Sequence, residues 1–198
     1  MFNKDEYLKS INDAATYIKS QIDCEMPKTC IVLGSGLGPF ADMVNVLKKI
    51  SYSEIPGFPV TTVIGHSGEL LLADVDGKKL FLMSGRFHYY EGNDMSVCTF
   101  YVRVMAKLGV ENLFLTNAAG GMLDSMKPAD LMIVTDHISL FCESALRGPN
   151  LDEFGARFID QSFVYDKGYV NLLKDTAANL NIPIHEGVYC YTKGPQYE

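Results

Sequence analysis

Apolar positions along the first twenty-odd residues recur at helical spacing. Tyr7, Ile11, Ala14, Ile18 and Ile22 fall on one face of residues 3–23, which predicts an amphipathic helix capped by Asn3 or Asp5 and ended before Pro27. A short apolar run, residues 30–33, then reads as a buried parallel strand. It breaks into a glycine-rich turn, and Pro39 is expected to open a helix through Ile50 with Phe40, Met43, Val44 and Leu47 inward. Pro56, Gly57 and Pro59 make residues 51–59 a loop. Residues 60–64, 69–75 and 79–83 predict three strands, and Asp76-Gly77 between the last two is a hairpin turn, so that part of the sheet should be antiparallel.

The pattern returns to helical spacing at residues 93–108, where Val97, Phe100, Tyr101, Val104 and Leu108 form the inner face and Gly109 supplies the C-cap. Strands follow at 113–116 and 131–138, then a long irregular segment to Tyr165, a helix at 166–181 and a last strand at 186–192. Irregular stretches of that length are uncommon in compact domains unless they serve a site or an interface. Strands alternating with helices, plus one hairpin, predict an α/β fold in a single domain, 1–198, with a mixed, largely parallel central sheet flanked by helices. The unusual loops, 34–38, 84–92, 117–121 and 193–198, each follow a strand directly. Parallel strands would bring such loops to one edge of the sheet, at their carboxyl ends, where open α/β folds bind ligands.

Composition narrows the function classes. A net charge of −7 argues against a nucleic-acid surface while leaving room for a local basic pocket. The five cysteines, 24, 30, 98, 142 and 190, are scattered without a C-x-x-C, as expected of core residues in a reducing compartment. Histidines 66, 88, 137 and 185 show no metal-ligand spacing. No apolar run approaches the length of a membrane span and the first residues lack the shape of a signal peptide, so a cytoplasmic location is expected.

Two loops carry candidate chemistry. In Gly34-Ser35-Gly36-Leu37-Gly38-Pro39 a strand–turn–helix would aim backbone N–H groups at an anion, with the Ser35 hydroxyl as a further donor. The plainer alternative is a tight connection in which glycine only supplies positive φ. A dinucleotide fingerprint fails because Pro39 occupies the place of its third glycine, and no Gly-Lys-Ser/Thr follows to make a P-loop. In Gly85-Arg86-Phe87-His88-Tyr89-Tyr90, an extended backbone would point Arg86, His88 and Tyr90 to one side. Arg86 could then grip a phosphate through two parallel hydrogen bonds. A surface arginine beside a core histidine is the alternative, and pairing this loop with the Ser35 turn favours the anion site. His66, in Gly65-His66-Ser67-Gly68, reads equally well as a solvated turn residue.

Taken together, residues 33–38, Gly65-His66, Gly85-Arg86-Phe87-His88 with Tyr90-Glu91-Gly92, and Thr116-Asn117-Ala118-Ala119-Gly120-Gly121 resemble purine nucleoside phosphorylases of the homotrimeric type. Arg147-Gly148-Pro149-Asn150 and Gly194-Pro195-Gln196-Tyr197-Glu198 extend the resemblance to the last residue. The resemblance implies reversible cleavage of a purine nucleoside by inorganic phosphate to free base and ribose 1-phosphate, in purine salvage, with no metal or organic cofactor.

It also implies roles. Ser35, His66, Arg86, His88 and the backbone of Ala118 would bind phosphate, and Tyr90 the ribose, with Phe158 reaching the ribose of a neighbouring subunit. Ala118, Tyr197 and Glu198 would bind the purine, Tyr197 standing where the family usually has phenylalanine. His88 and Glu198 would be the catalytic pair. Glu198 would accept from the purine N1–H; adenine has no such proton, so inosine and guanosine should be preferred. Family members continue for several tens of residues past the position of Glu198, so the chain is expected to lack its C-terminal part. A methylthioadenosine phosphorylase, or an inactive purine- or phosphate-binding subunit, are the competing expectations.

Overall fold

The computed structural model describes residues 3–59 and 67–194. They fall into two compact units, Met1–Ala118 with Ser144–Phe154, and Ala119–Glu143 with Gly155–Glu198.

The first unit is built on a five-stranded mixed sheet in the order β2-β3-β4-β1-β5. Its strands are β1 (Thr29–Leu33), β2 (Asn45–Ser51), β3 (Glu69–Val75), β4 (Lys78–Ser84) and β5 (Asn112–Leu115). β3 runs antiparallel to both its neighbours, β2 and β4, and Asp76 and Gly77, both at positive φ, turn the β3–β4 hairpin. β1 pairs parallel with β4 on one side and with β5 on the other, so these three strands end together at Leu33, Ser84 and Leu115. The expected fold class is the observed one.

Strand alternation gives the sheet two apolar faces. Cys30, Val32, Leu70, Leu72, Phe81 and Met83 face α1 (Lys4–Ser20) and α3 (Phe100–Leu108), the latter preceded by the short α2 (Met95–Cys98). Ile11, Ala14, Ala15 and Ile18 of α1 are buried at the predicted spacing, and the Asn3 side chain caps the helix by accepting from the N–H groups of Asp5 and Glu6. Each large aliphatic or aromatic side chain buried here contributes about 1.5–3 kcal/mol. The opposite face, with Leu33, Leu71, Ala73 and Leu82, is covered by Phe40, Val44 and Val46.

That cover differs from the expected helix at 39–50. A single 3-10 segment, Gly38–Met43, follows the turn and gives way to β2, an edge strand on β3. Val44, Val46 and Ile50 are β-branched and pair well on a pleated surface, which outweighs their helical spacing. Met43 and Leu47, expected inside, are 80% and 46% exposed; Leu47 sits where the β2 register shifts. The single helix expected over 93–108 is broken at Thr99, which leaves helical geometry while its hydroxyl donates to the Met95 carbonyl. Gly109, at positive φ, ends α3 as predicted. The strand expected at 60–64 lies outside the described residues.

Residues Ser144–Phe154 are fastened to the first unit by Lys4–Asp152 at 3.0 Å, Lys107–Glu153 at 2.7 Å and an Arg103 bond to the Ala145 carbonyl at 3.1 Å. The second unit contains a two-stranded parallel sheet of β6 (Leu131–Ile138) and β7 (Ile184–Cys190), joined through α4 (Lys167–Asn179). Asp166 caps α4 by accepting from the Tyr169 N–H. Among the described residues, no helix is long and apolar enough to cross a membrane.

Candidate active site

Parallel pairing places three of the four unusual loops side by side. The turn at Gly34 and Ser35 leaves β1, Gly85 through His88 leave β4, and Thr116 through Ala118 leave β5. The contact between the first and last is close. The Gly34 N–H donates to Thr116 Oγ1 at 2.9 Å, and that hydroxyl donates to the Val32 carbonyl at 2.7 Å. A Cβ at residue 34 would stand 2.2 Å from the Thr116 carbonyl oxygen, so only glycine lets these two strand ends meet. Gly36, at φ +82°, completes the turn and leaves Ser35 exposed.

The turn works differently from the expectation that a helix dipole would favour an anion. The 3-10 segment after it has six residues, and the Leu37 N–H is engaged with the Gly34 carbonyl at 3.1 Å. Ser35 therefore brings a hydroxyl donor, without the aligned peptide dipoles of a long helix.

Positive charge comes from the β4 loop. His88 is 7% exposed and its Nδ1 lies 2.6 Å from Oε1 of Glu91, whose side chain is 8% exposed. The same oxygen accepts the His88 backbone N–H at 2.9 Å, and the Asn93 side chain donates to the His88 carbonyl at 3.2 Å. A carboxylate can only accept here, so the Nδ1 proton stays on the ring and Nε2 is turned the other way. There, Arg86 Nε approaches Nε2 at 3.3 Å. The Tyr90 ring stacks on His88 with centroids 4.7 Å apart and planes 19° apart, although the backbone from Tyr89 to Glu91 is a 3-10 turn and not the extended chain the alternation of 86, 88 and 90 assumes. Arg86, His88 and Tyr90 thus form one cluster, with Glu91 orienting its imidazole.

Glu91 is the member of this cluster that sequence reasoning passed over. Its signal was the three-residue spacing to His88, which lets the Glu91 carboxylate reach back to the His88 backbone N–H. Ala118 is exposed, in the loop leaving β5, at the end of the first unit's longer segment. Phe158 belongs to the second unit and is 91% exposed. His66, Tyr197 and Glu198 lie outside the described residues. Among the described residues, no three His, Cys, Asp or Glu side chains gather in a metal-binding group.

Residues 28–198 match the family model described as the phosphorylase superfamily. The chain is 50% identical over 188 residues to purine nucleoside phosphorylase 1 of Bacillus subtilis (strain 168), covering 95% of this chain and 69% of that one. It is 46% identical over 189 residues to purine nucleoside phosphorylase 1 of Geobacillus stearothermophilus, with 96% and 69% covered. The chain belongs to the purine nucleoside phosphorylases of the phosphorylase superfamily. Among solved structures, isoform 2 of the Schistosoma mansoni purine nucleoside phosphorylase, in complex with cytosine and ribose-1-phosphate, superposes with a TM-score of 0.87 at 40% identity, covering 96% of this chain and 68% of that one. The ends of β1, β4 and β5 bring three loops of this chain side by side, with Arg86, His88 and Glu91 joined by hydrogen bonds.

Proposed function

We propose that the chain catalyses reversible phosphorolysis of purine nucleosides, inosine and guanosine ahead of adenosine, giving free base and ribose 1-phosphate. The observation that carries this reading is the meeting of the Ser35 turn, the Arg86–His88 cluster and the Thr116–Ala118 loop at the ends of three parallel strands. Inorganic phosphate is the co-substrate, held by Ser35, Arg86, His88 and the Ala118 backbone, with His66 beside it. No metal or organic cofactor takes part.

The C1′–N bond of the nucleoside breaks with its electron pair leaving on the purine, and positive charge develops on the ribose. A phosphate oxygen then forms the new bond to C1′, and the proton that the phosphate gives up ends on the purine nitrogen, leaving the neutral base. The Arg86 guanidinium holds the phosphate, and His88, oriented by Glu91, fixes its angle of approach. No side chain attacks, so the protein's contribution is positioning and electrostatic stabilisation. Tyr90 supports the ribose. Ala118, Tyr197 and Glu198 receive the base, Glu198 accepting from N1–H and so holding the purine in place as it departs. Phe158 covers the ribose of a neighbouring subunit in a homotrimer, and the enzyme works in the cytoplasm in purine salvage.

The experiment is base release from inosine, guanosine, adenosine and methylthioadenosine, each with and without phosphate. Release from the two 6-oxopurine nucleosides, at least about 100-fold faster than from adenosine, is expected. Preference for methylthioadenosine would assign the other phosphorylase activity, and no release from any substrate would make this chain a binding subunit.

A further inference from the structure

Gly85 is the joint between β4 and the phosphate loop. It is buried, at φ +107°, and a glycine at such a joint can swing widely unless something holds it. Tyr52 does so from both sides of Arg86. Its hydroxyl donates to the Gly85 carbonyl at 2.8 Å, and its ring meets that of Phe87 with centroids 5.3 Å apart and planes 57° apart. Tyr52 is itself fixed: it is 1% exposed, its N–H donates to the Gly68 carbonyl at 2.8 Å, and it opens a 3-10 turn locked by the Ser51–Glu54 capping box. Phe58 packs against both Tyr52 and Phe87, at 5.4 and 5.8 Å between centroids, without touching the loop backbone by a hydrogen bond.

We propose that Tyr52 is a positioning residue for phosphate use, aiming Arg86 and His88 by pinning the backbone before Arg86 and the ring after it. The inference rests on the phosphate reading above and adds a residue to it that lies in a segment remote from the loop in sequence. Burial raises the Tyr52 phenol well above its ordinary range, so the hydroxyl keeps its proton and the hold does not loosen at neutral or mildly alkaline pH.

The test is Tyr52→Phe, which removes the hydroxyl and keeps the ring, read through separate KM values for phosphate and inosine. A rise of about tenfold in phosphate KM is expected, with inosine KM within about twofold of the parent and the effect unchanged between about pH 6 and 9. Phe58→Leu is the packing control, expected to lower Tm and leave phosphate KM alone. Phe87→Leu cuts Tyr52's second hold and should raise phosphate KM in the same selective way, so it decides the matter if Tyr52→Phe does not fold. Unchanged phosphate KM, parallel rises in both KM values, or an equal effect of Phe58→Leu would each overturn the proposal. If the parent protein releases base without phosphate, the phosphate reading falls first and this inference with it. A phosphate-dependent parent with an unaffected Tyr52→Phe overturns the inference alone.

Discussion

At the scale of single residues, the candidate site depends on one carboxylate oxygen serving two donors. Glu91 Oε1 accepts from both the ring Nδ1 and the backbone N–H of His88, and both side chains are almost fully buried. Removing that acceptor leaves two buried N–H groups to find new partners, at a cost of about 1–3 kcal/mol. Glu91→Ala should therefore weaken phosphate use by roughly 10- to 100-fold. Glu91→Gln keeps an oxygen acceptor at the same place and should lose less, a ranking that kcat/KM for phosphate will check. Gly34 is critical for a different reason, since the atom a side chain would add has nowhere to go. With a Cβ 2.2 Å from the Thr116 carbonyl oxygen, Gly34→Ala must part β1 from β5. A loss of about 3 kcal/mol is expected, seen as a lower calorimetric Tm, with phosphate KM rising as the Ser35 turn shifts.

At the scale of elements, local signals were readable and non-local ones were not. The α1 face, the Asp76-Gly77 hairpin and the Gly109 cap rest on neighbours within a few residues, and each appears as the sequence indicates. The segment at 39–50 reads as a helix because its apolar residues satisfy that spacing. What makes it a strand is β3, more than twenty residues further on, whose free edge it pairs with. Tyr52 was hidden for the same reason. It stands in a proline- and glycine-rich stretch that looks like plain loop, and its burial comes from Phe58 and Phe87. The candidate phosphate loops were legible because glycine, arginine and histidine directly after apolar runs identify strand ends. Glu91 and Thr116 were not, because their roles depend on which hydrogen bonds the folded loops leave to be made.

At the scale of the whole molecule, the apolar core of the first unit has a pH dependence of its own. Burial pushes the Cys30 thiol and the Tyr101 phenol each up to about 12. Both groups are neutral in the core and ionise more readily in the unfolded chain, near 9 for cysteine and 10 for tyrosine. Their contribution to stability is whole below about pH 9 and is lost as pH rises towards about 12. Urea midpoints should fall across that range, and Cys30→Ala, though less stable at neutral pH, should show a shallower decline above about pH 9. A decline as steep as the parent's would remove Cys30 from that account. The central claim concerns phosphate, as a reactant held where β1, β4 and β5 end together. Its most direct test follows hypoxanthine and ribose 1-phosphate from inosine as inorganic phosphate is raised, in the parent protein and in Arg86→Ala. The account predicts saturable dependence on phosphate, the two products in equal amounts, and a loss of at least about 100-fold in kcat/KM for phosphate without the guanidinium. Hypoxanthine released at the same rate without phosphate, with free ribose as its companion, would contradict it.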